Sequence, residues 1–225
     1  MSGSTVLLPD LCTLRDLRTF VSRARVADPE GVVRLIGHGA VLAVLASPLH
    51  GSGAPTVLGM RAATLTRPSR VDATVPMAAM EALLVDPCSD HEGPIGLAVP
   101  ADEITDVAWA GITPPRSGWE LLGTVSRETL LRVARAGEAE VAAAVSPGTA
   151  PHEVQRLRAR VWGRSLTDDP PGLPAGIAFA AHVLGFVTDP DTDADGPEAT
   201  AHRTGAWSRL TTTRGHILAR TGSLI

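Results

Sequence analysis

Leu14, Leu17, Phe20, Val21 and Ala24 recur at a spacing of about 3.6 residues, which predicts an amphipathic helix running to about Ala27. Thr13 followed by Asp16 resembles a capping arrangement at its start, and Asp28-Pro29-Glu30-Gly31 is a turn that ends it. Arg15, Arg18, Arg23 and Arg25 fall on the opposite face and read as a solvated stripe. From Val32 the texture changes to short apolar runs separated by glycines: VVRLI, then AVLAVLA after Gly37-His38-Gly39, then TVLGMRAATL after the loop PLHGSGAP. This spacing predicts three strands in an antiparallel meander. A second, short helix is expected from Pro76 to Leu84, and strand-like segments around Ile95 to Val99 and Ile104 to Trp109.

Thr113-Pro114-Pro115-Arg116-Ser117-Gly118-Trp119 is a rigid turn and the expected boundary between two halves, 1–120 and 121–225, whether these are separate domains or one continuous domain. Beyond it Ser126 can cap a helix with Leu130, Ala134, Gly137, Val141 and Ala144 on one stripe. Gly137 costs about 1 kcal/mol relative to Ala inside a helix, so close approach of a neighbouring element is its expected motive. Another helix is expected from about Ala150 to Trp162. A short core helix then runs from Ala175 to Val187, with Pro174 in its first turn and His182 as its only polar side chain. AWSRLT and HILAR around Thr213-Arg214-Gly215 predict a closing hairpin. The fold class is therefore α+β: an amino-terminal helix and antiparallel meander, followed by a mainly helical half closed by a carboxy-terminal hairpin.

Composition narrows the function. The 225-residue chain is 44% hydrophobic, enough for a core, and its net charge of -4 argues against a general nucleic-acid binder, which needs a basic surface. From Thr124 onward eleven Arg are matched by eleven Asp and Glu. The last three helices and hairpin resemble a winged-helix DNA-binding domain in order, but the helix in the recognition position offers almost no polar side chain to base edges. The segment MSGSTVLLPDL lacks the basic and apolar regions of a secretory signal, and no run is long enough to span a bilayer, so a soluble cytoplasmic protein is expected. Lys, Asn and Tyr are absent while Ala, Gly, Pro and Arg abound, a pattern of GC-rich, actinobacterial coding. Since every cation is Arg, an Arg alone is no sign of bidentate anion recognition.

Candidate chemistry is sparse. Asp191, Asp193, Asp195 and Gly196 match the front of a calcium loop, but His202 stands where the bidentate Glu belongs. Cys88, Asp90 and His91 are ligand types without a second pair of ligands, and Cys12 and Cys88 form no disulfide framework. No nucleophile elbow, phosphate loop or dinucleotide fingerprint is present, and no cofactor is implied. The first functional expectation is a non-enzymatic binding or protein-interaction module. The second is a small-molecule-binding protein or enzyme with a crevice between the halves near Arg116, Arg164 and His182, walled by Trp119 or Trp162. In it, His182 meets a polar group of the Arg164 loop or of the turn at Arg116, against the alternative of a backbone carbonyl in a closed core.

Overall fold

The computed structural model describes residues 5–51, 53–85, 93–100, 106–189 and 198–220. Its helices and antiparallel sheets give the α+β class, in two compact units: Met1–Ser47 with Met60–Ile112, and Pro48–Gly59 with Thr113–Ile225.

In the first unit, helix α1 (Leu11–Ala27) buries Leu14, Leu17, Phe20, Val21 and Ala24, the stripe that the spacing predicts. Its cap lies earlier than expected. Asp10, not Thr13, is the N-cap, and its carboxylate accepts from the Thr13 N–H at 2.7 Å, satisfying one of the free donors of the first turn. Strand β1 (Thr5–Leu8), which no alternation announced, precedes it and pairs antiparallel with β4 (Ile95–Ala98), Thr5 opposite Ala98 and Leu8 opposite Ile95. Between them lie two long strands, β2 (Val32–Leu49) and β3 (Thr56–Pro76), and helix α2 (Met77–Leu83), which buries Met77 and Met80. Ser22 and Arg25 of α1 both donate to the Glu81 carboxylate of α2.

The three-stranded meander is corrected to a pair of long strands, because Gly37-His38-Gly39 does not end β2. Gly37 serves close approach: a Cβ there would stand 2.8 Å from Cγ1 of Val71 and 3.1 Å from its backbone nitrogen. Residues 108–111 form a 3₁₀ turn where the segment from Ile104 to Trp109 was expected to be strand, and Ile104 itself lies outside the described residues. Arg34 holds that turn. Its guanidinium donates to the carbonyls of Ala110 and Ile112 at 2.5 and 3.3 Å, and it clasps Asp72 through two bonds of 2.7 and 2.8 Å. The bonds from Arg34 keep the Asp72 carboxyl below its ordinary value of 3.8, against the opposing effect of burial.

The second unit carries β5 (Glu120–Val125), α3 (Arg127–Ala144), α4 (Pro151–Trp162), α5 (Gly176–Val183), β6 (Ala199–Thr204), β7 (Trp207–Thr212) and β8 (Gly215–Arg220). The sheet order is β2-β3-β8-β7-β6-β5, and residues 48–59, the distal ends of β2 and β3 with their loop, belong to this unit. Leu49 and Val57 at that tip lie so near α5 that a Cβ on Gly176 would meet them at 2.8 and 3.1 Å. Ala201, Leu210, Ile217 and Ala219 are fully buried on one sheet face, while their neighbours alternate onto the other, where Leu218 and Trp207 are buried as well. Ser126 caps α3 as its sequence predicts, accepting from the Thr129 N–H at 3.2 Å.

The central helix is shorter than the apolar run suggested. Gly185 has φ of 69°, and it donates to the His182 carbonyl at 2.9 Å while Phe186 donates to that of Ala181 at 2.8 Å. These two bonds are a Schellman ending, so Gly185 stops α5. A side chain at this φ costs about 1 to 2 kcal/mol, because Cβ crowds the following carbonyl. Gly185→Ala is therefore expected to lower the unfolding free energy by about that amount in urea titration, with an unchanged slope.

Candidate functional site

Two clusters of polar and aromatic side chains stand out in the second unit. The first is built on one stretch of α3. Where Gly137 presents no side chain, the indole of Trp162 at the end of α4 moves in so closely that a Cβ would lie 2.3 Å from it. Trp162 is 2% exposed and stacks on Phe179 of α5, with ring centroids 4.6 Å apart and planes at 27°. The guanidinium of Arg158 lies 5.8 Å from the same Phe179 ring.

The next polar positions of α3 take the two other residues expected here. Glu140 holds Arg164 in a bidentate pair at 2.5 and 2.8 Å. Hydrogen bonding to Arg164 lowers the Glu140 carboxyl and, reciprocally, raises the Arg164 guanidinium. Glu138 lies 3.3 Å from Nδ1 of His182, whose side chain is 31% exposed. His182 thus meets neither the Arg164 loop nor the turn at Arg116, nor is it sealed in a core against a backbone carbonyl. Its partner is a carboxylate of α3. Glu138 and Glu140 are not marked by the apolar stripe of α3, which is its strongest sequence signal. The signal was there in Gly137-Glu138-Ala139-Glu140, where acids flank the approach point of a neighbouring element.

Trp162, Arg164 and His182 are therefore brought together on 137–140 of α3, with Trp162 as a core side chain and not a crevice wall. Trp119 belongs to the second cluster, and Arg116 lies in the same turn ahead of β5. Arg116 is exposed. Trp119 is half-buried and donates its indole N–H to the Pro115 carbonyl at 3.1 Å. Its ring lies 4.5 Å from the guanidinium carbon of Arg209 on β7, close enough for a cation–π contact.

Arg209 stands directly opposite His202 of β6, and His202 in turn opposite Leu121 of β5, so the three share one sheet face, on which Leu218 of β8, the other neighbour of Arg209, is buried. Leu121 is 67% exposed, on the outermost strand of the sheet. Both Nε of Arg209 and Nδ1 of His202 are withdrawn from solvent with no hydrogen-bond partner among the described residues. Burial pushes the imidazole below its ordinary 6.5, helped by the charge of Arg209 and opposed by the Thr200 backbone. Burial likewise lowers the Arg209 guanidinium. His202 and Arg209 could not be paired from the sequence, since β6 was not anticipated and a ladder is needed to set them side by side.

The calcium-like residues Asp191, Asp193 and Asp195, and the trio Cys88, Asp90 and His91, lie outside the described residues. Among the described residues no three His, Cys, Asp or Glu gather to hold a metal ion.

Residues 1–111 match a domain of unknown function, DUF8010, and residues 114–224 match a second domain of unknown function, DUF8185. No curated protein matches the sequence. Among solved structures the chain is similar to a DNA polymerase sliding clamp from Caulobacter crescentus, with 10% identity, a TM-score of 0.48, and coverage of 99% of this chain and 67% of that one. It is also similar to the DNA polymerase III subunit beta from Pseudomonas aeruginosa, with 11% identity, a TM-score of 0.46, and coverage of 99% and 66%.

Two outcomes follow from this geometry. Gly137→Leu is expected to destabilise by about 1 to 3 kcal/mol in denaturant titration, because overpacking against Trp162 outweighs the better helix propensity. For His202, a folded-state value below 6.5 means that its neutral form is favoured in the fold. The associated stability is complete above pH 6.5 and is lost as pH falls through the lowered value. Thermal melting across that window should therefore decline less steeply in His202→Gln than in the wild type.

Proposed function

We propose that the protein is a non-enzymatic interaction module that engages a protein partner through the sheet face that bears Leu121, His202 and Arg209. The observation carrying this reading is the Trp119–Arg209 stack beside the exposed Leu121. Aromatic and Arg side chains are the types enriched where proteins bind one another, since they offer large contact areas with fixed polar geometry. Among the described residues β5 is the outermost strand of this sheet, and the register shift between Leu121 and Gly123 restricts simple strand addition to it.

A partner other than nucleic acid suits the charge. The net charge is -4, and the eleven Arg beyond Thr124 are balanced by eleven acids. No helix of the described residues is long and apolar enough to cross a membrane. A reducing, cytoplasmic setting suits the exposed free thiol of Cys12.

Leu121→Glu tests the reading, because the position is exposed and its substitution should leave the melting temperature unchanged. Immobilised wild-type and variant protein are compared for retention from host lysate by quantitative mass spectrometry, together with sedimentation for self-association. The expected result is a protein retained, or a self-association seen, with the wild type only. Equal retention by both would overturn the proposal.

One observation favours a second, small-molecule reading around Arg164 and His182. Both side chains are partly open to solvent and each is oriented by a carboxylate of α3. A ligand at about 100 times its dissociation constant would add about 2.7 kcal/mol to stability. A thermal-shift hit that disappears in His182→Ala would support this reading, and a screen without one would remove it.

A further inference from the structure

The described arginines differ in how their charge is answered. Arg25 meets Glu81, Arg34 meets Asp72, Arg61 meets Asp16, Arg135 meets Asp189 and Arg164 meets Glu140. Several of these are well exposed, where pairing is worth little. Arg34, with a side chain only 11% exposed, has a carboxylate and two carbonyls. Arg209 reverses that pattern. Its Nε is enclosed, its guanidinium lies over an aromatic ring, and no acid among the described residues pairs with it. A half-buried guanidinium without an acid carries a desolvation cost that a carboxylate on its terminal nitrogens would offset.

The surroundings define what carries that carboxylate. Trp119 covers one side of the guanidinium and holds its plane, which prepares Arg for a planar, bidentate acceptor. Leu121 lies two residues along the cross-strand row, opposite His202, and offers exposed apolar surface. Resting on the reading of this face as a contact surface, we propose that it takes an acidic, apolar segment of the partner: a Glu or Asp carboxylate on Arg209, and an adjoining apolar side chain on Leu121 and Trp119. The terminal nitrogens of Arg209 donate to the carboxylate, since its Nε is enclosed. His202 lines the site on the strand between Arg209 and Leu121.

The test uses the full chain and two probes, the peptide acetyl-Ala-Leu-Glu-Leu-Ala-amide and its counterpart with Gln in place of Glu. The readouts are the side-chain Nε–H resonance of Arg209 and the indole N–H resonance of Trp119 in proton–nitrogen spectra. The glutamyl peptide should shift both saturably, with affinity about tenfold above that of the Gln peptide, as expected for a charge-assisted contact. Arg209→Gln should abolish the difference. Should that variant misfold, Leu121→Glu sets a like charge beside the site at an exposed position and should weaken the glutamyl peptide about tenfold. Equal shifts with both peptides, equal shifts with inorganic phosphate, or no shift at up to about 10 mM peptide would overturn the acidic segment. The lysate comparison with Leu121→Glu separates the two claims. Loss of a retained protein without glutamyl-peptide binding overturns the acidic segment and keeps the contact surface, whereas peptide binding with unchanged retention overturns the partner reading.

Discussion

The second unit depends on one close approach, that of the Trp162 indole to the bare α-carbon of Gly137. Three helices are set by it. Trp162 ends α4, Gly137 lies in α3, and Phe179 of α5 stacks on the same indole, so a single ring determines the distances among all three. Because cores are close-packed, even one methyl at position 137 would have to displace an aromatic ring that is itself held. The polar pairs follow from this closeness: Glu138 reaches His182 and Glu140 reaches Arg164 because the helix bearing both acids lies against the chain bearing His182 and Arg164.

Sequence legibility followed the range of the interactions involved. Helices α1, α3 and α4 and the β7–β8 hairpin are readable because their signals are local: an apolar stripe, a capping Ser126, a short turn between two alternating runs. Strands β1, β5 and β6 are not, since four to six residues of modest apolarity become strands only when a ladder partner arrives, and that of β1 comes from near residue 96. Glycine misled in both directions. Gly37 has the look of a break and is instead a point where Val71 crowds the backbone, while Gly185 has the look of helix interior and is a helix stop. Composition could not separate these cases, because both depend on what lies across from the residue or on the sign of its φ.

The candidate site was legible in the same uneven way. Trp162, Arg164 and His182 were chosen for their places around a core helix and do converge, but on two acids that the apolar stripe of α3 concealed. Trp119 was chosen for its position in a rigid turn, and its partner Arg209 was hidden by the want of β6, the strand that fixes the row from Leu121 through His202 to Arg209. In a chain whose cations are all Arg, identity says little and pairing says more.

The hairpin tip at 48–59 has a consequence for how the molecule is made. The polypeptide passes from one unit to the other three times, at 47/48, 59/60 and 112/113, so the second unit is discontinuous along the chain. Its sheet uses β2 and β3, synthesised long before β8, β7, β6 and β5 exist as a surface to join. During translation those early strand ends must wait with their hydrogen-bonding edge unfilled until the last strands leave the ribosome, a non-local closure of the kind that slows folding. For the same reason the two halves are not interchangeable cassettes: a cut at 112/113 would leave residues 113–225 without Leu49 and Val57, the apolar seat on which α5 rests.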